Sequence, residues 1–179
     1  EVDRNVLENM VAPLEHMLRN SLAHGIETPE RRRQDNKPEI GTITLTLRRE
    51  GAELVLELGD DGVGLNFEAI RTKGEEKGLL LPDQPATQEE LIALLLRPGF
   101  STATSVTQIS GRGVGMDVVN EAIRAMRGAL LIETEPGQGT RFIIRLPFSL
   151  AVTQALLVRA GESIFAIPLL SIELVTRLQ

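Results

Sequence analysis

The sequence predicts an α/β domain in which amphipathic helices accompany β-hairpins. Apolar residues recur at helical spacing in several stretches, whereas residues 42–49 alternate threonine with aliphatic side chains, as a half-buried strand does. Turn signals that contain glycine separate the paired strands. With 179 residues and 42% hydrophobic content, the chain is long enough for one compact domain and part of a second.

The first predicted helix begins after an N-cap at Asp3 and ends before Gly25. Pro13 lies inside it and is expected to kink the helix or to split it in two. Five apolar residues at helical spacing are expected to form its buried stripe: Leu7, Val11, Leu14, Leu18 and Leu22.

A polar row accompanies that stripe. The two histidines of the chain, His16 and His24, flank Asn20 at four-residue steps. On an α-helix each such step turns about 400°, so the three side chains lie on one face. Spacing alone leaves two alternatives open, a functional row and an ordinary solvated face.

The remaining elements follow from turn and capping signals. Thr28 and Pro29 predict a short helix, Thr87 and Glu90 form a capping-box pattern, and Gly128 ends a later helix. Helices are expected at 67–77, 87–96 and 118–126, a long mobile loop at 97–111, and strands at 42–49, 53–58, 129–133, 140–146, 150–159 and 162–167. The domain prediction is one domain at 1–148 and the start of a second β domain at 149–179.

Composition excludes several classes of partner. The net charge of −6 argues against non-specific nucleic-acid binding, and the absence of cysteine excludes disulfides and thiolate metal sites. No apolar run approaches the roughly 20 residues of a membrane span, and no signal peptide opens the chain. We therefore expect a cytoplasmic protein without membrane insertion. Because the chain starts with Glu1 rather than Met, we also expect a piece of a longer protein.

Two glycine-rich motifs carry candidate chemistry. Asp60 at a strand end, followed by Gly62 and Gly64, offers a carboxylate that can accept a hydrogen bond from an exocyclic amine, as in adenine. Residues 111–115 read GRGVG before a helix, where backbone amides can hold phosphate oxygens. Taken singly, the first motif is more often an ordinary turn than a ligand site, and the second is as often a flexible hinge as a phosphate site. Neither the dinucleotide fingerprint nor a Walker loop is present.

The order of these motifs is more specific than any one of them. Asn20 can ligate Mg²⁺ through its amide oxygen, and a third glycine cluster at Gly137 and Gly139 precedes Thr140. This four-box order resembles the ATP-binding fold shared by histidine kinases, Hsp90 chaperones, DNA gyrase B and MutL. The runs RNSLAHGIE (19–27), PGFSTA (98–103) and SGRGVGMDVV (110–119) resemble the CheA-type chemotaxis histidine kinases in particular.

That resemblance implies a two-layer α/β sandwich, the Bergerat fold, with a mixed and mostly antiparallel sheet and helices on one face. It implies ATP and Mg²⁺ as cofactors, with Asn20 and His16 as catalytic and metal-site residues and Asp60 on the adenine amine. The other nucleotide contacts that it implies are Arg19, His24, Gly62, Gly64, Lys73, Ser101, Thr102, Gly111, Gly113, Val114, Gly115, Met116 and Thr140.

His16 is the most diagnostic position of that set. Hydrolysing relatives and many sensor kinases carry Glu four residues before the metal-binding Asn, whereas CheA-type kinases carry His there, which favours transfer over hydrolysis. An imidazole can act as a base or as a donor to phosphoryl oxygens, and both roles stay open. Ala23 and Ala69 depart from the family pattern, which is expected to weaken nucleotide affinity.

The function implied is transfer of the ATP γ-phosphoryl group to a histidine on a separate phosphotransfer domain, for relay to response regulators that control motility. The residues 149–179 resemble the start of a CheW-like regulatory domain, which implies contacts with a CheW-like adaptor and a chemoreceptor. A homodimer through an upstream domain is also implied. Two alternatives remain: an ATPase switch of the gyrase or chaperone type, and a non-catalytic nucleotide-binding scaffold.

Overall fold

A computed structural model describes residues 4–82, 85–100, 115–147 and 155–168 of the chain. Its helices are α1 (Arg4–Asn20), α2 (Pro29–Gln34), α3 (Phe67–Glu76), α4 (Gln88–Leu95) and α5 (Met116–Ala125), with a π-helical turn at Ser21–Gly25. Its strands are β1 (Ile43–Glu50), β2 (Glu53–Asp60), β3 (Ala129–Glu135), β4 (Gly139–Pro147), β5 (Ala155–Ala160) and β6 (Ser163–Pro168).

The chain divides into two compact units, Glu1–Phe148 and Ser149–Gln179. Within the second unit the described residues form one antiparallel hairpin, β5–β6, in which Ala155 pairs with Pro168. This division falls at the predicted domain boundary. That the hairpin starts a CheW-like domain stays a prediction.

The first unit contains a four-stranded sheet in the order β1-β2-β4-β3, and its three pairings are antiparallel. Alternate residues of β2 and β4, among them Leu56, Leu58 and Ile144, are buried in one core cluster with residues of α1 and α5. The helices therefore cover one face of the sheet. This two-layer α/β arrangement confirms the predicted fold class.

The buried stripe of α1 was predicted wrongly. The residues of α1 that face the core are Val6, Met10, Pro13 and Met17, each a position away from the predicted ones. Of the predicted stripe, Leu14 and Leu18 are partly buried at the edge of the core, whereas Leu7, Val11 and Leu22 are 47%, 52% and 66% exposed. Two apolar rows run side by side on this helix, and periodicity alone selected the outer one.

Pro13 lies within α1, which continues as one helix to Asn20, so the predicted split is wrong. The helix then widens into the π turn, where the Ile26 N–H donates to the Ser21 carbonyl at 2.7 Å. A π turn rotates less per residue than an α-helix, so His24 does not follow Asn20 at the α-helical step assumed from sequence. The predicted cap at Asp3 lies outside the described residues.

The first strand is more exposed than its alternating pattern predicts. β1 is an edge strand, and Leu45 and Leu47 are each about half exposed although their partners in β2 are buried. The helical layer covers the central strands and leaves this edge open. Periodicity reports which side chains share a face, but not whether a neighbour covers that face.

Several local signals were predicted correctly. Thr28 caps α2, and both hydrogen bonds of the capping box between Thr87 and Glu90 are present at the start of α4. Asn66, which was not singled out, caps α3 by accepting from the Ala69 N–H at 2.9 Å. In the described ranges, no helix has the length and apolar character required to cross a membrane.

Candidate functional site

The centre of the site is the carboxylate of Asp60 at the end of β2. Its Oδ2 accepts from the Ser21 hydroxyl at 2.7 Å, and its Oδ1 accepts from the N–H groups of Gly62 at 3.0 Å and Thr140 at 3.3 Å. Three elements therefore converge on one side chain: the π turn, the turn after β2, and β4. The carboxylate is held in one orientation by donors from three separate parts of the fold.

Glycines allow these elements to approach each other. A Cβ at Gly62 would collide with the Gly25 carbonyl oxygen, and a Cβ at Gly139, where φ is +114°, would collide with the Asp60 carbonyl oxygen. Gly64, at φ +78°, leaves room for the Glu135 carbonyl in the same way. The sequence suggested glycines that admit a ligand. In the structure these three admit neighbouring backbone, and so bring the Asp60 carboxylate to its partners.

Thr140 is buried beside Asp60 and has a second role there. Its hydroxyl lies 3.3 Å from the Thr134 hydroxyl, which also accepts from the Leu65 N–H at 3.0 Å. The turn after β2 is thereby joined to β3 and β4. Thr140 therefore lies beside the Asp60 carboxylate, and its predicted contact with adenine stays a prediction.

Four charged side chains form a group around the buried Arg32 next to this turn, the Arg32 cluster: Glu27, Arg32, Lys37 and Asp61. Arg32 donates to Glu27 at 3.0 Å and forms a bidentate pair with Asp61, at 3.1 Å and 2.8 Å. Lys37 donates to Glu27 at 2.6 Å. The side chains of Arg32 and Glu27 are only 1% and 3% exposed, whereas that of Asp61 is 37% exposed, so this network of two positive and two negative charges has a buried centre and reaches the surface at Asp61.

The Arg32 cluster was not predicted from the sequence. Charged residues between a helix and a strand ordinarily indicate a solvated surface, and their spacing shows no helical or strand period. Burial raises the pKa of Glu27, but hydrogen bonds and charge from Lys37 and Arg32 outweigh it, so the net pKa lies below the ordinary value. The pKa of Asp61 is lowered likewise, since donation from the Thr42 N–H and from Arg32 outweighs burial. Both carboxylates are therefore ionised at neutral pH.

His16 and Asn20 lie on α1, are partly buried, and flank the fully buried Met17. Burial lowers the pKa of His16, the positive charge of Arg19 lowers it further, and the carboxylate of Asp117 on α5 partly opposes both. The imidazole is therefore neutral at physiological pH. Residues of α1 and α5 are packed in the same core cluster.

The N-terminus of α5 begins at Met116 after Gly115, which provides no side-chain cap. Asp117 in its first turn accepts from the Gly99 N–H at 2.8 Å, which ties residues 98–100 to this helix. Phe100 is buried, and the Lys77 ammonium donates to the Gly99 carbonyl at 2.6 Å. The first N–H groups of an α-helix lack intrahelical partners and suit an anion, as predicted for the phosphates at Gly115 and Met116.

The other predicted residues are less closely connected to this centre. Lys73 lies on α3 and pairs with Glu76 at 2.8 Å, while Arg19 and His24 are exposed on α1 and the π turn. Five predicted contacts lie outside the described residues: Ser101, Thr102, Gly111, Gly113 and Val114. So does most of the loop predicted to be mobile.

A cavity of about 500 Å³ lies at the same end of the sheet and includes Asp60 and Thr140 in its lining. The other lining residues include Gly59, Arg141 and Glu133, which alternate with Asp60 and Thr140 along the strands and therefore lie on the opposite face of the sheet. The Asp60 carboxylate, by contrast, contacts Ser21 on the helical side. This cavity is distinct from the space between the helices.

The donor and acceptor groups fit a nucleotide and Mg²⁺. A carboxylate offers about four acceptor sites, and donors from the described residues use three of those of Asp60, which leaves one for an amine. Among the described residues no three His, Asp, Glu or Cys side chains are grouped to hold a metal. Mg²⁺ ordinarily takes only one or two protein oxygens and completes its shell with phosphates and water, so Asn20 suffices.

Comparison with known proteins agrees with this geometry. A family model described as histidine kinase-, DNA gyrase B- and HSP90-like ATPase matches residues 10–150. The chain belongs to this family. As a member of an ATPase family, it is an ATP-binding domain.

The predicted resemblance to CheA-type kinases is also confirmed. The chain is 45% identical over 172 residues to the chemotaxis protein CheA of Treponema pallidum and 46% identical over 169 residues to that of Borreliella burgdorferi. These matches cover 96% and 94% of this chain and 21% and 20% of the relatives. The chain thus spans about a fifth of their length. Among solved structures, the histidine kinase domain of the Erythrobacter litoralis EL346 blue-light activated kinase matches 78% of this chain and 43% of its own, with 14% identity and a TM-score of 0.45.

Proposed function

We propose that this chain is the catalytic ATP-binding domain of a chemotaxis-type histidine kinase, and that it transfers the γ-phosphoryl group of ATP to a histidine on a separate phosphotransfer domain. The observation that carries the proposal is the Asp60 carboxylate, oriented by Ser21, Gly62 and Thr140 with one acceptor site left for the adenine amine. Identity with CheA proteins over nearly the whole chain supports transfer rather than another use of ATP.

In this proposal the residues of α1 act at the phosphate end. Asn20 holds Mg²⁺ through its amide oxygen; we assign the metal to Asn20 and not to His16, because Mg²⁺ prefers oxygen ligands. Mg²⁺, when bound, offsets the negative charge of the phosphates. The start of α5 receives phosphate oxygens on its N–H groups, and Arg19, His24 and Lys73 add positive charge or donors nearby.

His16 faces the reacting end of the site. A neutral imidazole with a lowered pKa can accept the proton that the attacking histidine of the phosphotransfer domain must lose. A carboxylate at the same position would instead favour activation of water. The proposed partners are the phosphotransfer histidine as substrate, a response regulator downstream, and, through the β5–β6 unit, a CheW-like adaptor and a chemoreceptor. The proposed location is the cytoplasm.

The test is a transfer assay with radiolabelled ATP, Mg²⁺ and a phosphotransfer domain from a CheA protein. The wild-type chain should label the acceptor, and Asp60→Asn should lower ATP affinity at least tenfold because its amide cannot accept on both sides. The matched control is Asp35→Asn, since Asp35 is an exposed partner of Arg31. His16→Ala should lower kcat with little change in KM for ATP.

Each contrary outcome has a specific meaning. Phosphate release without acceptor labelling would favour the ATPase switch. No ATP binding by calorimetry would contradict the proposal and favour the scaffold alternative.

A further inference from the structure

The Arg32 cluster is bonded to the backbone of the Asp60 turn, residues 60–64, as well as to itself. Lys37 Nζ donates to the carbonyl oxygens of Asp61 at 2.8 Å and Gly62 at 2.7 Å. Arg32 Nη1 donates to the same Asp61 carbonyl at 3.2 Å. The four charged side chains already neutralise one another. The bonds to the Asp61 and Gly62 carbonyls are additional, and they attach the cluster to the backbone of the turn.

One peptide unit connects the cluster to the Asp60 carboxylate. The peptide between Asp61 and Gly62 offers its carbonyl to Lys37 and Arg32, and its N–H donates to Asp60 Oδ1 at 3.0 Å. A peptide unit is planar, so fixing the carbonyl direction also fixes the direction of the N–H. Two cationic donors on the carbonyl also polarise the peptide and strengthen its N–H as a donor.

The next peptide is fixed in the same way. The Gly62 carbonyl accepts from Lys37, and the Val63 N–H donates to the Gly25 carbonyl at 2.9 Å. Lys37 has three N–H donors, and Glu27, Asp61 and Gly62 use all of them. Lys37 therefore has no donor left for a phosphate, although a lysine so near a nucleotide site would suggest one.

We propose that Lys37, supported by Arg32 and Glu27, is a positioning residue for adenine recognition: it holds the peptide between Asp61 and Gly62 so that the Asp60 carboxylate stays aimed at the base. This inference rests on the proposed function, in which Asp60 accepts from the adenine amine. It adds a residue that does not touch the nucleotide and that sets how strongly the amine is read.

The test compares two ligands on two proteins. ATP and purine riboside triphosphate differ by the 6-amino group, so the ratio of their dissociation constants isolates the contact with Asp60. We expect the wild-type chain to prefer ATP by about tenfold, as for one well-formed hydrogen bond to a charged group. In Lys37→Met the preference should fall to about twofold, because the carboxylate is no longer fixed.

Two control variants separate positioning from general damage. Arg31→Met removes a neighbouring cation that is exposed and paired with Asp35, and should keep the wild-type ratio. The double variant Glu27→Gln/Lys37→Met removes the Glu27 carboxylate together with the lysine that neutralises it, so the charge stays balanced. It still lacks the ammonium donor to the Asp61 and Gly62 carbonyls, so its ratio of dissociation constants should stay low. Because it removes one positive and one negative charge together, the double variant should fold more stably than Lys37→Met, and the ratio is measured on it if Lys37→Met alone does not fold.

The outcomes distinguish the two proposals. Equal weakening of both ligands in Lys37→Met, with the ratio kept, would overturn the positioning role and leave the proposed function intact. Recovery of the ratio in the double variant would overturn it as well, since charge balance would then be the cause. If the wild-type chain binds ATP without preference for the amine, or binds neither ligand, the adenine contact of the proposed function fails and the positioning role fails with it. Faster hydrogen exchange at the Gly62 amide in Lys37→Met, but not in Arg31→Met, would support the role without any nucleotide.

Discussion

The protein contains two groups of arginines and carboxylates whose ion pairs have similar lengths but different surroundings. The Arg32 cluster has a buried centre, Arg32 and Glu27, and its donors reach backbone carbonyls as well as side chains. The second group, the outer-face cluster, lies on the sheet face away from the helices and consists of Arg48, Glu50, Glu53, Glu57 and Arg145. Its two arginine side chains are 42% and 44% exposed.

The difference concerns what each cluster holds in place. The outer-face cluster connects side chains of β1, β2 and β4, strands that are already joined by continuous ladders of hydrogen bonds. The Arg32 cluster holds the turn that follows Asp60, residues 61–64, which lies beyond the last paired residue of β2. Exposed pairs are weakened by water and salt, whereas removal of one partner from a buried pair leaves a charge without compensation. Ion pairs of similar length should therefore contribute very differently to the stability of the fold.

The largest expected effect is that of Arg32→Met. This change removes the centre of the buried cluster and leaves Asp61 without its bidentate partner. We expect the unfolding temperature to fall by about 10 °C, together with loss of ATP binding. Thermal unfolding followed by circular dichroism measures the first effect, and calorimetric titration the second. A variant as stable as wild type would show that burial does not distinguish the two clusters.

Gly62→Ala should have the next largest effect. The added Cβ would collide with the Gly25 carbonyl and push residues 60–64 away from the π-helical segment Ser21–Gly25. We expect a fall of about 5 °C in unfolding temperature and at least tenfold weaker ATP binding. The matched change is Gly51→Ala in the β1–β2 turn, where φ is +60° and nothing lies within 4 Å. Gly51→Ala should lower the free energy of unfolding by about 1 kcal/mol through backbone strain and leave ATP binding unchanged. Equal loss of binding in both variants would contradict this account of the turn.

Acid should act on the buried cluster in a defined direction. Hydrogen bonds from cations and backbone hold the pKa values of Glu27 and Asp61 below their ordinary values of 4.5 and 3.8 despite burial. A carboxylate whose pKa is lower when folded stabilises the fold above its unfolded pKa, and this contribution is lost as pH falls through the folded value. The unfolding temperature should therefore decline from about pH 5 downward. In Glu27→Gln/Lys37→Met the decline should be shallower, and an unchanged slope would exclude Glu27 as a source.

The sequence was most informative where a residue's role depends on near neighbours in the chain. The capping box at Thr87, the cap at Thr28 and the hairpin turns depend on three or four residues and were predicted within a residue or two. The motif order led to Asp60, Gly62 and Thr140, which the fold brings together. Asp60 and Thr140 are 80 residues apart along the chain, and the pairing of β2 with β4 brings them together.

The parts that failed depend on contacts between distant segments. The choice between the Met10–Met17 row and the Val11–Leu18 row on α1 is decided by where the sheet lies, which a single helix does not encode. Lys37 looked like part of a polar loop, since its partners are backbone carbonyls 24 and 25 residues away. Backbone acceptors have no sequence signature, so such a residue is found only from the structure.

The smallest effect is expected for Arg48→Met on the outer face. Arg48 pairs with Glu50 at 2.7 Å and Glu57 at 2.8 Å, yet its loss should lower the unfolding temperature by less than about 2 °C. Arg48 lies opposite the buried Val55 in the ladder, and methionine keeps an apolar side chain there while it removes the charge. In 1 M salt the difference from wild type should vanish, because the screening length falls to about 3 Å. The larger part of the corresponding difference for Arg32→Met should persist, since the side chains of Arg32 and Glu27 are only 1% and 3% exposed and buried pairs are screened much less. If salt reduced both differences equally, the two clusters would be equivalent, and the Arg32 cluster would have no special hold on the Asp60 turn.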